Sequence, residues 1–146
     1  MNKFLYLGLV VFSFGANAAT LTAVCKDPSG RAIGIHGNLG GQKPINEPDA
    51  MTGGQVTIVW EVGQQKASLV IQGSGGGRPF TQDGFVVYRT DEQVSFLTTF
   101  PGAVWLLSFF TNPKRLLISE HSGGRAIDTG GAIAKGYEAR CDVAVK

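Results

Sequence analysis

"QVTIVWEVGQQKASLVIQ", residues 55–72, alternates apolar and polar side chains on both sides of a short Gly63-Gln64-Gln65 interruption. Val56, Ile58, Trp60 and Val62 fall on one face of the first run, with Gln55, Thr57 and Glu61 opposite. Ala67, Leu69 and Ile71 repeat the pattern in the second run. A period of two marks a strand with one buried face. Two such runs separated by so short a link predict an antiparallel hairpin.

The same pattern continues outward along the chain. "TLTAVC", "RAIGIHG", "FVVYR", "VSFLTTF", "AVWLLSFF", "RLLISEH" and "AIAKGYEARC" are short apolar or alternating runs bounded by Gly, Pro, Asn or Asp. No long stretch carries apolar residues at helical spacing, so hairpins and not crossover helices must make the connections. The expectation is an all-β, single antiparallel domain of about eight or nine strands, arranged as a barrel-like meander, with a β-sandwich as the alternative. "AVWLLSFF" (103–110) is the most hydrophobic run, with Ala103, Trp105, Leu107 and Phe109 on one face and Val104, Leu106 and Phe110 on the other. It is expected to be covered on both faces; the alternative is an exposed apolar patch that serves as an interface. "GNLGGQKPINEPDAMTGG" (37–54) and "GSGGGRPFTQDG" (73–84) read as long irregular segments.

The first residues read differently. Met1-Asn2-Lys3 is positive, Phe4 to Phe14 is an apolar run of 11 residues, and Ala16-Asn17-Ala18 supplies small residues at the spacing a signal peptidase accepts. The apolar run is too short to cross a bilayer as a helix, so residues 1–18 are expected to be a cleaved signal peptide. Cys25 stands seven residues past Ala18, which argues against a lipoprotein signal. Residues 19–146 then form one β-domain of 128 residues, long enough for one core. A periplasmic or secreted location follows, with no span of the membrane after cleavage; mixed strand polarity and a C-terminal Lys146 speak against an outer-membrane barrel. In such an oxidising compartment Cys25 and Cys141 are expected to form one disulfide that ties the first strand to the last.

Without Lys3 the chain carries 12 basic and 11 acidic residues. So even a balance gives no basic stripe for nucleic acid and no polybasic membrane site. The glycines around Ser74 do not form a phosphate cradle, because a strand and not a helix N-terminus follows them. A triad could draw on Ser119 or Ser122, His36 or His121, and Asp49 or Asp128, but no Gly-x-Ser-x-Gly elbow is present, and alternation sends His121 and Ser122 to opposite faces. His36, His121, Glu47 and Asp49 share no spacing that enforces metal geometry. The expectation is no catalytic residue, no metal and no cofactor.

Lys135 carries more information. Alternation in "AIAKGYEARC" sets it on one face with Ile133, Tyr137, Ala139 and Cys141, the inward face if Cys141 is bridged. A lysine there must reach a rim, pair with an acid, or be turned out by a bulge at Gly136, and the bulge or rim is expected.

"SGGRAIDTGGAIAKG" (122–136) resembles the paired motif of the periplasmic and membrane-bound inhibitors of c-type lysozyme, in which Ser-Gly-x-x-Tyr is followed by Ser/Thr-Lys-Gly. Ser122 and Gly123 match the first half, Lys135 and Gly136 the second. Ala126 stands at the tyrosine position and Ala134 at the Ser/Thr position. The resemblance covers 15 residues and implies a small exported antiparallel barrel whose serine and lysine enter the lysozyme cleft.

The leading expectation is an exported, non-enzymatic binding or envelope-associated β-domain whose partner is a protein or envelope component, with Ser122, Arg125 and Lys135 as candidate binding residues. A lysozyme-type inhibitor is second, a hydrolase third, and a chaperone-assembled pilus subunit fourth.

Overall fold

In the computed structural model, which describes residues 18–38, 41–123 and 131–146, nine strands account for about three quarters of the described residues. They are β1 (Thr20–Asn38), β2 (Gly41–Ala50), β3 (Gln55–Glu61), β4 (Lys66–Gln72), β5 (Phe80–Arg89), β6 (Gln93–Phe100), β7 (Ala103–Phe110), β8 (Arg115–Gly123) and β9 (Ala132–Val145). Every pairing is antiparallel. From β3 to β9 each strand pairs with the next, and β1 pairs with both β3 and β9, which closes an eight-stranded barrel. The ninth strand, β2, lies outside the closed ring and pairs with β1 alone. Residues 1–17, which include most of the expected signal peptide, lie outside the described residues.

The 55–72 stretch forms the β3–β4 hairpin, with Val56 opposite Ile71 and Ile58 opposite Leu69. These residues meet Phe96, Leu107, Phe109 and Leu116 in a continuous apolar core. Phe96 and Phe109 are fully buried, and burial of a side chain of that size contributes about 1.5–3 kcal/mol. Gly84 makes room for this packing: a Cβ there would stand 2.8 Å from Leu69 Cδ1 and 3.2 Å from Phe96 Cβ. One barrel end is shut by Trp60, whose indole N–H donates to the Gln64 carbonyl at 2.8 Å and whose ring lies under the Arg89 guanidinium.

Cys25 and Cys141 are bonded and directly opposite in the β1–β9 register, so the disulfide staples the seam where the first and last strands close the barrel. In the loop-entropy picture, cross-linking residues 116 apart in sequence contributes about 4–5 kcal/mol.

Four expectations need correction, the first being that the 73–84 stretch, read as irregular throughout, enters β5 at Phe80 and pairs with β4 from there. "TLTAVC" and "RAIGIHG" are one long strand, β1, carried past Asp27 and Pro28 by a one-residue bulge between Lys26 and Ser29, with Asp27 at φ 48°. The irregular reading of 37–54 missed β2: Pro44 and Pro48 argued against a strand, yet an edge strand tolerates proline because one side needs no ladder donor. "AVWLLSFF" is not covered on both faces. Leu107 and Phe109 are buried, whereas Val104 and Leu106 on the outer face are exposed.

Candidate functional site at the barrel mouth

Beyond Lys26, β1 runs past the end of β3, and β2 takes the place beside it. β1, β2, β8 and β9 thereby make a taller wall at the barrel end opposite Trp60. Its inner face is readable row by row from the register. The deepest row relevant here runs Phe96, Leu107, Ile118, Tyr137, Gly30, Asp49; the next runs Thr98, Trp105, Glu120, Lys135, Ala32, Glu47. On β8 and β9 the core therefore gives way to charge within one step, from Ile118 to Glu120 and from Tyr137 to Lys135.

Asp49 organises this face. Its Oδ2 accepts the Tyr137 hydroxyl at 2.7 Å and lies 3.2 Å from Lys135 Nζ, while Oδ1 accepts the Ala50 N–H at 2.9 Å. Partial burial pushes the Asp49 carboxyl upward, but the Tyr137 hydrogen bond, the Lys135 bond and charge, and the Ala50 N–H outweigh it and hold the group below its ordinary value. Tyr137 moves the other way: burial, then its bond to Asp49 and the Asp49 and Glu120 charges, raise its phenol far above the usual tyrosine range. The Lys135 and Asp49 side chains are 28% and 29% exposed, so the pair is half in water and open to a partner.

Close approach of β1 to β9 makes this geometry. A Cβ on Gly30 would overlap the Gly136 carbonyl oxygen, so only glycine lets β1 bring Asp49 of β2 up to Tyr137 and Lys135 of β9. The aromatic rings Phe80, Phe100 and Trp105 complete the mouth on the other side, edge to face at 6.0 Å and 5.1 Å. Thr98, in the Trp105 row, is 1% exposed and its hydroxyl has no partner among the described residues.

Ser122 and Lys135 share the inner face of adjacent strands, as diagonal neighbours: Ser122 pairs with Ile133 and Lys135 with Glu120. Arg125 and Asp128 lie outside the described residues. The expected bulge at Gly136 is absent. Both β1–β9 and β8–β9 keep register through it, and Lys135 stays inward by pairing with an acid. His121 does face away from Ser122, yet alternation also places it on the outer face with Ser119, whose hydroxyl is 3.4 Å from His121 Nε2. The cross-strand neighbours of this pair are Val104, Leu106, Ala134 and Gly136, so no carboxylate in those rows orients the imidazole as nucleophile activation requires. Among the described residues no group of three or more His, Cys, Asp or Glu could hold a metal ion.

Sequence reasoning named Lys135 but missed its partner, because Asp49 sat in a stretch read as loop. Tyr137 was visible on the lysine's face; the register that joins Trp105, Glu120 and Thr98 to it was not. No family profile, no curated protein and no solved structure matches the chain.

Proposed function

We propose that this chain is an exported, non-enzymatic binding barrel, periplasmic or secreted, whose mouth receives a protein or envelope component. The observation that carries the reading is the partly exposed Asp49–Lys135 pair, bonded to the buried Tyr137, on the inner wall of a barrel end that also carries three aromatic rings. Apolar residues at those positions would stabilise a barrel at least as well as a desolvated ion pair. A polar network kept at one end of an otherwise apolar interior is the arrangement of a recognition site, with aromatic area for contact and few polar groups for orientation. Export is supported by the signal-like first 18 residues and by the Cys25–Cys141 bond, which persists in oxidising compartments. The barrel interior is apolar, unlike the polar lumen of an outer-membrane barrel; no helix among the described residues is long and apolar enough to cross a membrane.

The test is affinity capture from an envelope fraction with the oxidised protein, its Trp105→Ala variant and its Lys135→Ala variant. A partner held by the parent and lost from a folded mouth variant is expected; identical capture by all three overturns the assignment of the mouth.

A lysozyme-type inhibitor is the second reading, favoured by the common face of Ser122 and Lys135. A c-type lysozyme titrated with molar excess of the protein should then lose lytic activity, and the paired Ser122→Ala, Lys135→Ala change should restore it. Undiminished lysis ends that reading.

A further inference from the structure

The mouth also specifies what it receives. Its inner wall sets three carboxylates, Glu47, Asp49 and Glu120, against one ammonium, Lys135, among the described side chains. Asp49 is engaged by Lys135 and Tyr137. Glu120 and Glu47 have no hydrogen-bond or ion-pair partner among the described residues; Glu120 is directly opposite Lys135, and exposed Glu47 stands in the same row beyond Ala32. Glu120 is half-buried and stands between Lys135 and Trp105 in the row, so a cation brought beside it meets an opposite charge at short range.

Two independent features point to a ligand at this place. Trp105, directly opposite Glu120 on β7, is half-buried, and an indole face next to a carboxylate is a favourable seat for a cation. Thr98, directly opposite Trp105 on β6, holds a buried hydroxyl that has no hydrogen-bond partner among the described residues. A buried polar atom of this kind calls for an explanation, and it can accept a hydrogen bond from a donor that enters along the indole.

From these juxtapositions we infer that the mouth captures a basic side chain of a polypeptide partner, a lysine ammonium or an arginine guanidinium. The cation lies between the Trp105 ring and the Glu120 carboxylate, with Thr98 as an additional acceptor. Lys135, held back by Asp49, keeps the pocket from admitting more than one positive group, because like charges brought together cost energy. This inference rests on the mouth being the binding site, and goes further in naming the chemistry of what binds.

The experiment titrates isotopically labelled, oxidised protein with the capped tripeptides acetyl-Gly-Lys-Gly-amide and acetyl-Gly-Arg-Gly-amide. Their uncharged counterparts carry acetyl-lysine and citrulline. The basic peptides should shift the Trp105 indole N–H and the amides of Glu120 and Thr98 saturably, and the neutral ones should bind at least tenfold more weakly. Glu120→Gln should weaken the basic peptides about fivefold or more while leaving the spectrum of a folded barrel, and Thr98→Val should weaken them less. Equal binding of neutral and basic peptides, unchanged binding to Glu120→Gln, shifts confined to another surface, or no saturable shift each overturns the cationic assignment. The mouth as a binding site fails separately, if Trp105→Ala and Lys135→Ala leave envelope capture intact.

Discussion

Along the seam between β1 and β9, the stretch around Cys25–Cys141 and the stretch around Ala32–Lys135 share antiparallel pairing and inward-facing parity. Around the cysteines the inner face is apolar, buried and covalently joined. A few pairs further along it carries Lys135 and the buried Tyr137, both on the Asp49 carboxylate of β2, with the Lys135–Asp49 pair partly in water. The difference arises from what stands beside β1. The cysteine stretch of β1 has β3 beside it and the packed core in front, whereas β1 beyond its bulge has left β3 behind and has β2 beside it. One ladder thus serves closure at one end and presentation at the other, and perturbations should separate the two.

The largest separation is expected from Cys25→Ser with Cys141→Ser. In the loop-entropy picture this costs about 4–5 kcal/mol, read as a lower urea midpoint, while any variant population still folded should retain mouth binding. If stability barely changes, the cysteine stretch is not the closure that distinguishes it. A smaller effect is expected from Gly30→Ala, whose new methyl meets the Gly136 carbonyl and must push β1 from β9. Overpacking of this kind costs about 1–3 kcal/mol, and here it should also displace Asp49 from Lys135 and impair binding. Stability lost with binding intact would show that the close approach is not what assembles the mouth.

The smallest expected effect is that of Tyr137→Phe, about 1 kcal/mol for one hydrogen bond to a carboxylate left with its other partners. Its signature lies in pH. Asp49 has a folded value below its unfolded one, so its contribution is present above an unfolded value of about 3.9 and is lost as pH falls through the folded value. Tyr137 has a raised folded value, so the unfolded chain releases its proton first and stability declines as pH rises above about 10. Urea midpoints across pH should show the alkaline decline reduced in Tyr137→Phe; an unchanged decline would detach Tyr137 from the network.

Much of this was legible without coordinates. The alternation of Val56, Ile58 and Trp60 against Leu69 and Ile71 sufficed for the β3–β4 hairpin, since a half-buried strand leaves its period in the chain itself. Two cysteines near the ends of the β-domain implied the staple. Lys135 stood out because a charge on an inward face must be answered. Asp49 stayed hidden, since β2 reads as a proline-containing loop and its strand conformation is imposed by pairing with β1. The Ser119–His121 proximity was within reach of the same alternation that separated His121 from Ser122.

By itself the chain of residues determined the all-β class, the antiparallel connections and the inward parity of Lys135, because these depend on local periodicity and on neighbours a few residues away. Only the tertiary structure decided that β1 pairs on one side with β3 and then β2, and on the other with β9. That decision brings together Asp49, Lys135, Trp105 and Thr98, residues from four strands. Their two adjacent rows are set by register between strands, which depends on bulges, on the Gly30 contact and on barrel closure, and no period along one strand records them.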